Sequence, residues 1–205
     1  IGRGALKVQN FTTATDSNNT AVGYSAGEAV TTGTQNTFVG SLAGDATTTG
    51  TRNTAVGFNA LTANTTAGNN TAIGDGSLSA NTTGTSNTAV GLGALEANTT
   101  ANNNTAVGYL TMLANTTGSE NTAMGRLALD ANTTGQDNTG IGNAALSANT
   151  TASNNTALGS GAMGENTTGS ENVGIGQGAL DKNTTGASNV ALGREALTAN
   201  TSASN

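Results

Sequence analysis

Apolar and polar positions recur along this chain with a fixed period of 17 residues. Each unit opens on an asparagine, Asn19 in the first and Asn189 in the eleventh, and no insertion disturbs the spacing between them. With columns counted from that asparagine, the consensus is N-T-A-V-G-x-x-A-L-x-A-N-T-T-G-x-x. Column four is always Val, Ile, Leu or Met, as at Val22, Ile73, Met124 and Leu192. Column nine is Leu or Met in nine units and Gly in the first two, Gly27 and Gly44. Acids and bases fall mostly in the variable columns, at Asp75, Arg126, Glu96 and Asp130 for instance. Glu165 and Lys182 instead occupy column eleven, which is otherwise alanine.

The period limits the architecture. Helical-hairpin repeats need about 33 residues or more and leucine-rich repeats about 20 to 29. Glycine, asparagine and paired threonines recur too often for a helix, since all are poor helix formers. The expected fold is all-β, a parallel β-solenoid or β-roll of about 11 coils of 17 residues over 19–205. A partial and irregular leading coil fills 1–18, where Ile1 to Leu6 aligns with columns four to nine and the stretch after it is four residues too long. That start reads as a repeat cut in its middle, so a piece of a longer protein is expected.

Within a coil, "NTAV" reads as a first strand, closed by a glycine that takes a backbone conformation costly for other residues. Those coil-turn glycines include Gly57, Gly74, Gly91, Gly108 and Gly125. "ALxA" reads as a second strand, and "NTTG" with two free positions completes the turn. Asn53, Asn70, Asn87, Asn104 and Asn121 in column one would stack as a side-chain ladder. Asn64, Asn81, Asn98, Asn115 and Asn132 in column twelve would form a second. Strand alternation places Thr and Val on one face and Asn and Ala on the other. With Val taken as the inward residue, column three points outward. Its members Ala55, Ala72, Ala89, Ala106 and Ala123 are uniformly small, which suggests close contact with another chain. A homo-oligomer is therefore expected, a trimer by preference, and the small eighth column points the same way.

Composition changes the picture mainly by exclusion. The 205 residues contain 30 glycines and no Pro, Cys, His or Trp, and aromatics are only 2%. Nucleophilic triads, thiolate sites and histidine metal sites lack their residues, so no enzyme, cofactor or metal is expected. Net charge is −6 without a basic cluster, which argues against nucleic acid. No run of about 18 apolar residues is present, so no membrane insertion by this segment is expected. Gly174-Ile175-Gly176-Gln177-Gly178 imitates a dinucleotide fingerprint, yet it recurs as repeat punctuation without a strand–helix context.

The motif A-V-G-x-x-A is similar to the repeats in head domains of trimeric autotransporter adhesins, with a longer period here. The full phrase N-T-A-V-G-x-x-A-L-x-A-N-T-T-G-x-x resembles the Asn- and Thr-rich repeats of bacterial surface fibres and phage tail fibres. The resemblance spans Asn19 to Asn205. It implies a parallel β-roll assembled as a homotrimer, extracellular, on a bacterial surface or a virion fibre. Its expected function is structural and adhesive: a stiff rod for multivalent attachment to a host-surface glycan or protein. The alternative is an ice-binding solenoid that uses threonine ladders. Column twelve also forms Asn-Thr-Thr, the N-glycosylation acceptor pattern.

Overall fold

A computed structural model describes residues 1–11 and 16–204, and among them the chain is a single-sheet parallel β-solenoid with no helix. Eleven three-residue strands, β1 (Thr20–Val22) through β11 (Val190–Leu192), stand in chain order in one sheet. Every adjacent pair is parallel and shifted by one repeat, as in Thr54↔Thr71, Ala55↔Ala72 and Val56↔Ile73. At the usual strand spacing of about 4.7 to 4.8 Å, the stack is roughly 52 Å long. Thr12 to Thr15, within the stretch Lys7 to Asn18 that is four residues longer than the period predicts, and Asn205 lie outside the described residues.

Coil-to-coil bonding continues far beyond the short strands. Thr54 N–H donates to the Asn70 carbonyl at 2.8 Å, and Gly57 N–H to the Val39 carbonyl at 2.8 Å. Further round the same coil, Leu61 N–H donates to the Ser77 carbonyl at 3.0 Å and Ala63 N–H to the Ser79 carbonyl at 3.0 Å. Asn69 N–H closes the turn on the Thr51 carbonyl at 3.0 Å. Backbone groups thus find partners in the neighbouring coils on most sides of the cross-section, as buried peptide groups require.

The expected second strand is replaced by a left-handed turn. "ALxA" starts from column seven at φ 54° (Asn59) and carries column nine at φ 57° (Leu61). Placing a leucine there costs about 1–2 kcal/mol. Complete burial of the same side chain contributes about 1.5–3 kcal/mol, which decides the matter in its favour. Leu61, Leu78, Leu95, Leu129, Leu146 and Leu180 are all fully buried along the coil axis.

The faces of the strand are the reverse of those expected. Ala55, Ala72, Ala89, Ala106 and Ala123 point into their own coil, each 0% exposed, and pack against the column-nine leucines. They are not available to a second chain. The interior is narrow: between the sheet and the leucine row only a methyl fits. Column eight is buried for the same reason, at Ala60, Ala94 and Ala128. The column-four residues, assigned to the interior by their apolarity, face outward.

Volume is conserved across columns rather than within them. Where Gly27 and Gly44 leave column nine empty, Phe38 replaces the column-three alanine and is 0% exposed. A Cβ on Gly27 or Gly44 would lie 2.6 or 2.4 Å from its ring. Likewise a Cβ on Gly174 would lie 2.8 Å from Cγ of Met163. Phe38→Ala should therefore cost about 3–5 kcal/mol through the cavity it opens. Gly44→Leu alone should clash, whereas Phe38→Ala with Gly44→Leu should recover part of the loss. Urea unfolding of the three variants checks this, and non-additivity of the pair is the expected result.

Candidate functional site

Two longitudinal features run the length of the stack: an asparagine-lined interior and an outer sheet face. The interior carries two polar rows. In column one, Asn104 N–H donates to Asn87 Oδ1 at 3.0 Å, while its own Oδ1 accepts Asn121 N–H at 2.9 Å. Its Nδ2 donates to the Gly118 carbonyl at 2.8 Å. Column one therefore links side chain to backbone from coil to coil.

Column twelve links side chain to side chain. Asn98 Nδ2 donates to Asn81 Oδ1 at 2.9 Å, and Asn132 Nδ2 to Asn115 Oδ1 at 2.8 Å. Both rows converge on the column-fifteen carbonyl: Asn53 and Asn64 donate to Ala67 O at 2.9 and 3.1 Å. Asn53, Asn70, Asn87, Asn104 and Asn121 are 0% exposed, as are Asn64, Asn81, Asn98, Asn115 and Asn132. The Asn-Thr-Thr acceptor pattern is thus inaccessible in the folded chain, because its amide nitrogen is buried and engaged.

Gly57, Gly74, Gly91, Gly108 and Gly125 end the strands at φ between 132° and 142°. A Cβ on Gly91 would lie 2.2 Å from the Gly108 carbonyl oxygen. The column is glycine for two independent reasons: its backbone conformation, and contact with the coil above.

Outside, columns two and four make one face of the sheet. Thr and Val alternate with the buried Asn and Ala, and the apolar row runs from half-buried, as at Val56, Val90 and Val107, to exposed. Val22, Ile73, Met124 and Leu158 are 44, 39, 46 and 43% exposed. The adjacent column six adds Tyr24, Phe58, Leu92 and Tyr109. Sequence reasoning missed this face by assigning column four to the core. The signal that could have found it is column four's tolerance of four apolar side chains of different size.

Charge is sparse and pairs along the axis. Lys7 Nζ lies 3.0 Å from Glu28 Oε1, and Lys182 pairs with Glu165, one repeat away in column eleven. Ser25 and then Lys7 hydrogen-bond Glu28 and hold its carboxyl below the usual range. The bond to Glu165 raises Lys182 above an ordinary lysine. Asp130 differs: burial raises its carboxyl, and its Oδ1 is buried without a partner among the described residues. No group of three or more Asp and Glu gathers as a metal site among the described residues, and no described helix could cross a membrane.

The first threonine of each pair is committed to the stack. Thr82, Thr99, Thr116 and Thr133 hydroxyls donate to the carbonyls of Thr99, Thr116, Thr133 and Thr150 at 3.0 to 3.2 Å. No protein-family model, curated protein or solved structure matches this chain.

Proposed function

We propose that this chain is a structural and adhesive fibre segment, a stiff rod that works extracellularly on a bacterial surface or a virion and assembles with copies of itself. The observation that carries the reading is the exposed apolar row of column four on a sheet in register over 11 strands. The largest apolar patch of a typical monomer covers about 300–600 Å². A column-four row roughly 50 Å long at the coil spacing makes one continuous apolar stripe, the kind of surface that marks an interaction site. Its repeat matches only a surface of the same period, and another copy of this chain provides one. Three copies around a common axis would cover one such row each, so a homotrimer is the proposed assembly. The likeness of the repeat to adhesin heads and tail fibres supports the same reading.

The contact belongs to column four, since column three is internal. Val90→Glu with Val107→Glu should place like charges in the contact and reduce the assembly to the 19.8 kDa single chain. The circular dichroism spectrum should not change, because both side chains face outward. Sedimentation equilibrium reads the mass, and a parent protein that sediments as a single chain would sink the reading.

Ice binding is the weaker alternative. Column two does present a threonine row beside column four. Ice-lattice matching needs a constant side chain at each step, however, and column four varies among Val, Ile, Leu and Met. Column-thirteen hydroxyls are occupied within the stack.

A further inference from the structure

We propose that the concavity between the leading coil and the first regular coil binds an acidic monosaccharide, a uronic or nonulosonic acid, through its carboxylate. Its volume of about 380 Å³ falls in the range of small-molecule sites. The lining includes Arg3 and Tyr24 in column six, Gly4 and Ser25 in column seven, and Lys7 and Glu28 in column ten. Column seven supplies the floor. A Cβ on Gly4 would lie 3.0 Å from Ser25 Oγ and 3.4 Å from Glu28 Oε2, so both polar groups converge over that glycine. Lys7 Nζ lies 3.0 Å from Oε1 of the same carboxylate and fixes its direction. The floor ends at the next coil, where column seven is Leu42.

Charge sets this concavity apart. The chain carries −6 overall, yet two of its six cations line this one site against a single carboxylate. Lys182 and Arg194 are paired with carboxylates, whereas Arg3 has no ion-pair partner among the described residues. Its guanidinium offers a planar fork of donors that fits a carboxylate bidentately. A second concavity, of about 450 Å³, uses the same columns in the last three coils. That one is lined by Asp181 and Glu195 and by no cation, so anion recognition belongs to the leading coil and is not a property of the repeat. The other groups suit the rest of a sugar. The Tyr24 ring, 54% exposed, can pack on the apolar C–H face of a pyranose. Ser25 and Glu28 can accept from its hydroxyls. Glu28 also repels a compact dianion such as sulfate, which brings no hydroxyl donors to offset the repulsion.

The proposal takes only its setting from the fibre reading, and sugar binding and oligomeric mass are measured separately, so either can fail alone. The test titrates the whole chain carrying Tyr109→Phe with glucuronic acid, N-acetylneuraminic acid, glucose or inorganic sulfate. Column six already holds phenylalanine at Phe58, and Tyr24 is then the one tyrosine of a chain without tryptophan. Tyrosine emission and saturation-transfer NMR of the sugar protons report binding. At least one acidic sugar should give a saturable response that weakens as salt is raised. Arg3→Gln should weaken that binding about tenfold or more, and column six already holds glutamine at Gln177, so the fold is preserved. Absence of a saturable response to both acidic sugars by both readouts overturns the proposal. So does equal affinity for glucose or for sulfate, or an affinity unchanged by Arg3→Gln.

Discussion

Gly91→Ala should remove about 4 kcal/mol or more of stability, far above the typical cost of a single substitution. Two costs combine at this site. Gly91 sits at φ 134°, in a region that costs a non-glycine residue about 1–3 kcal/mol. Its new methyl would also lie 2.2 Å from the Gly108 carbonyl oxygen, which is backbone and cannot step aside. The coils must separate locally, and the Gly91 N–H bond to the Ile73 carbonyl at 2.7 Å would be lost with them. The same substitution two columns away is the control. Gly76 has φ 66° and open space around it, and column seven already holds alanine at Ala144 with φ 54°. Gly76→Ala should cost about 1 kcal/mol or less, in the range of ordinary glycine substitutions. Urea titration of both variants decides the point. Because each coil contacts only its neighbours, Gly91→Ala should also split unfolding into two transitions. Equal costs for the two variants would contradict the stacking explanation.

Asn104→Asp should show a pH dependence that the parent lacks at this position. The variant keeps the oxygen that accepts Asn121 N–H but loses the Nδ2 donor to the Gly118 carbonyl. Protonation restores a donor, and complete burial disfavours the charge, so the folded-state pKa must rise above the unfolded value of about 3.9. The sign follows from linkage: the unfolded chain releases this proton first as pH rises. Below about pH 4 the variant should approach the parent. Stability should then fall through the interval between the two pKa values and level off above the folded one. At pH 7 the loss should reach about 3 kcal/mol or more, the scale for a buried unpaired charge. Thermal unfolding across pH 3 to 8 measures it, with Asn104→Ser as a non-titrating reference. A loss independent of pH would show that the carboxylate reaches solvent.

The 17-residue period was enough to read the solenoid, its coil number and the stacked asparagine columns, because each repeat samples the same position. Two local features were illegible for identifiable reasons. Leu61 and its equivalents lie in a left-handed conformation that leucine avoids on its own, and only complete burial in the coil overrides that preference. Hence "ALxA" looks like a strand in sequence and turns in space. The inside–outside assignment failed because apolarity was weighed above hydrogen bonding. An outward valine forgoes about 2 kcal/mol. An inward Asn104 satisfies the Asn121 N–H, which would cost about 1–3 kcal/mol unpaired, and adds a second donor to the Gly118 carbonyl. The polar residue therefore wins the interior. Column seven's positive φ is likewise not announced by residue type, since Leu42, Asn59 and Leu110 all adopt it.

Every polar link described in the interior joins residues at most one repeat apart, as Asn81 to Asn64 and Asn98 to Asn81. Assembly of the stack is therefore one small loop closure performed over and over, with an entropic cost that does not grow as the chain lengthens. A nascent or threading chain can fold its first coils while later ones are still unmade, each finished coil templating the next. No part of the process has to wait for a distant end to arrive.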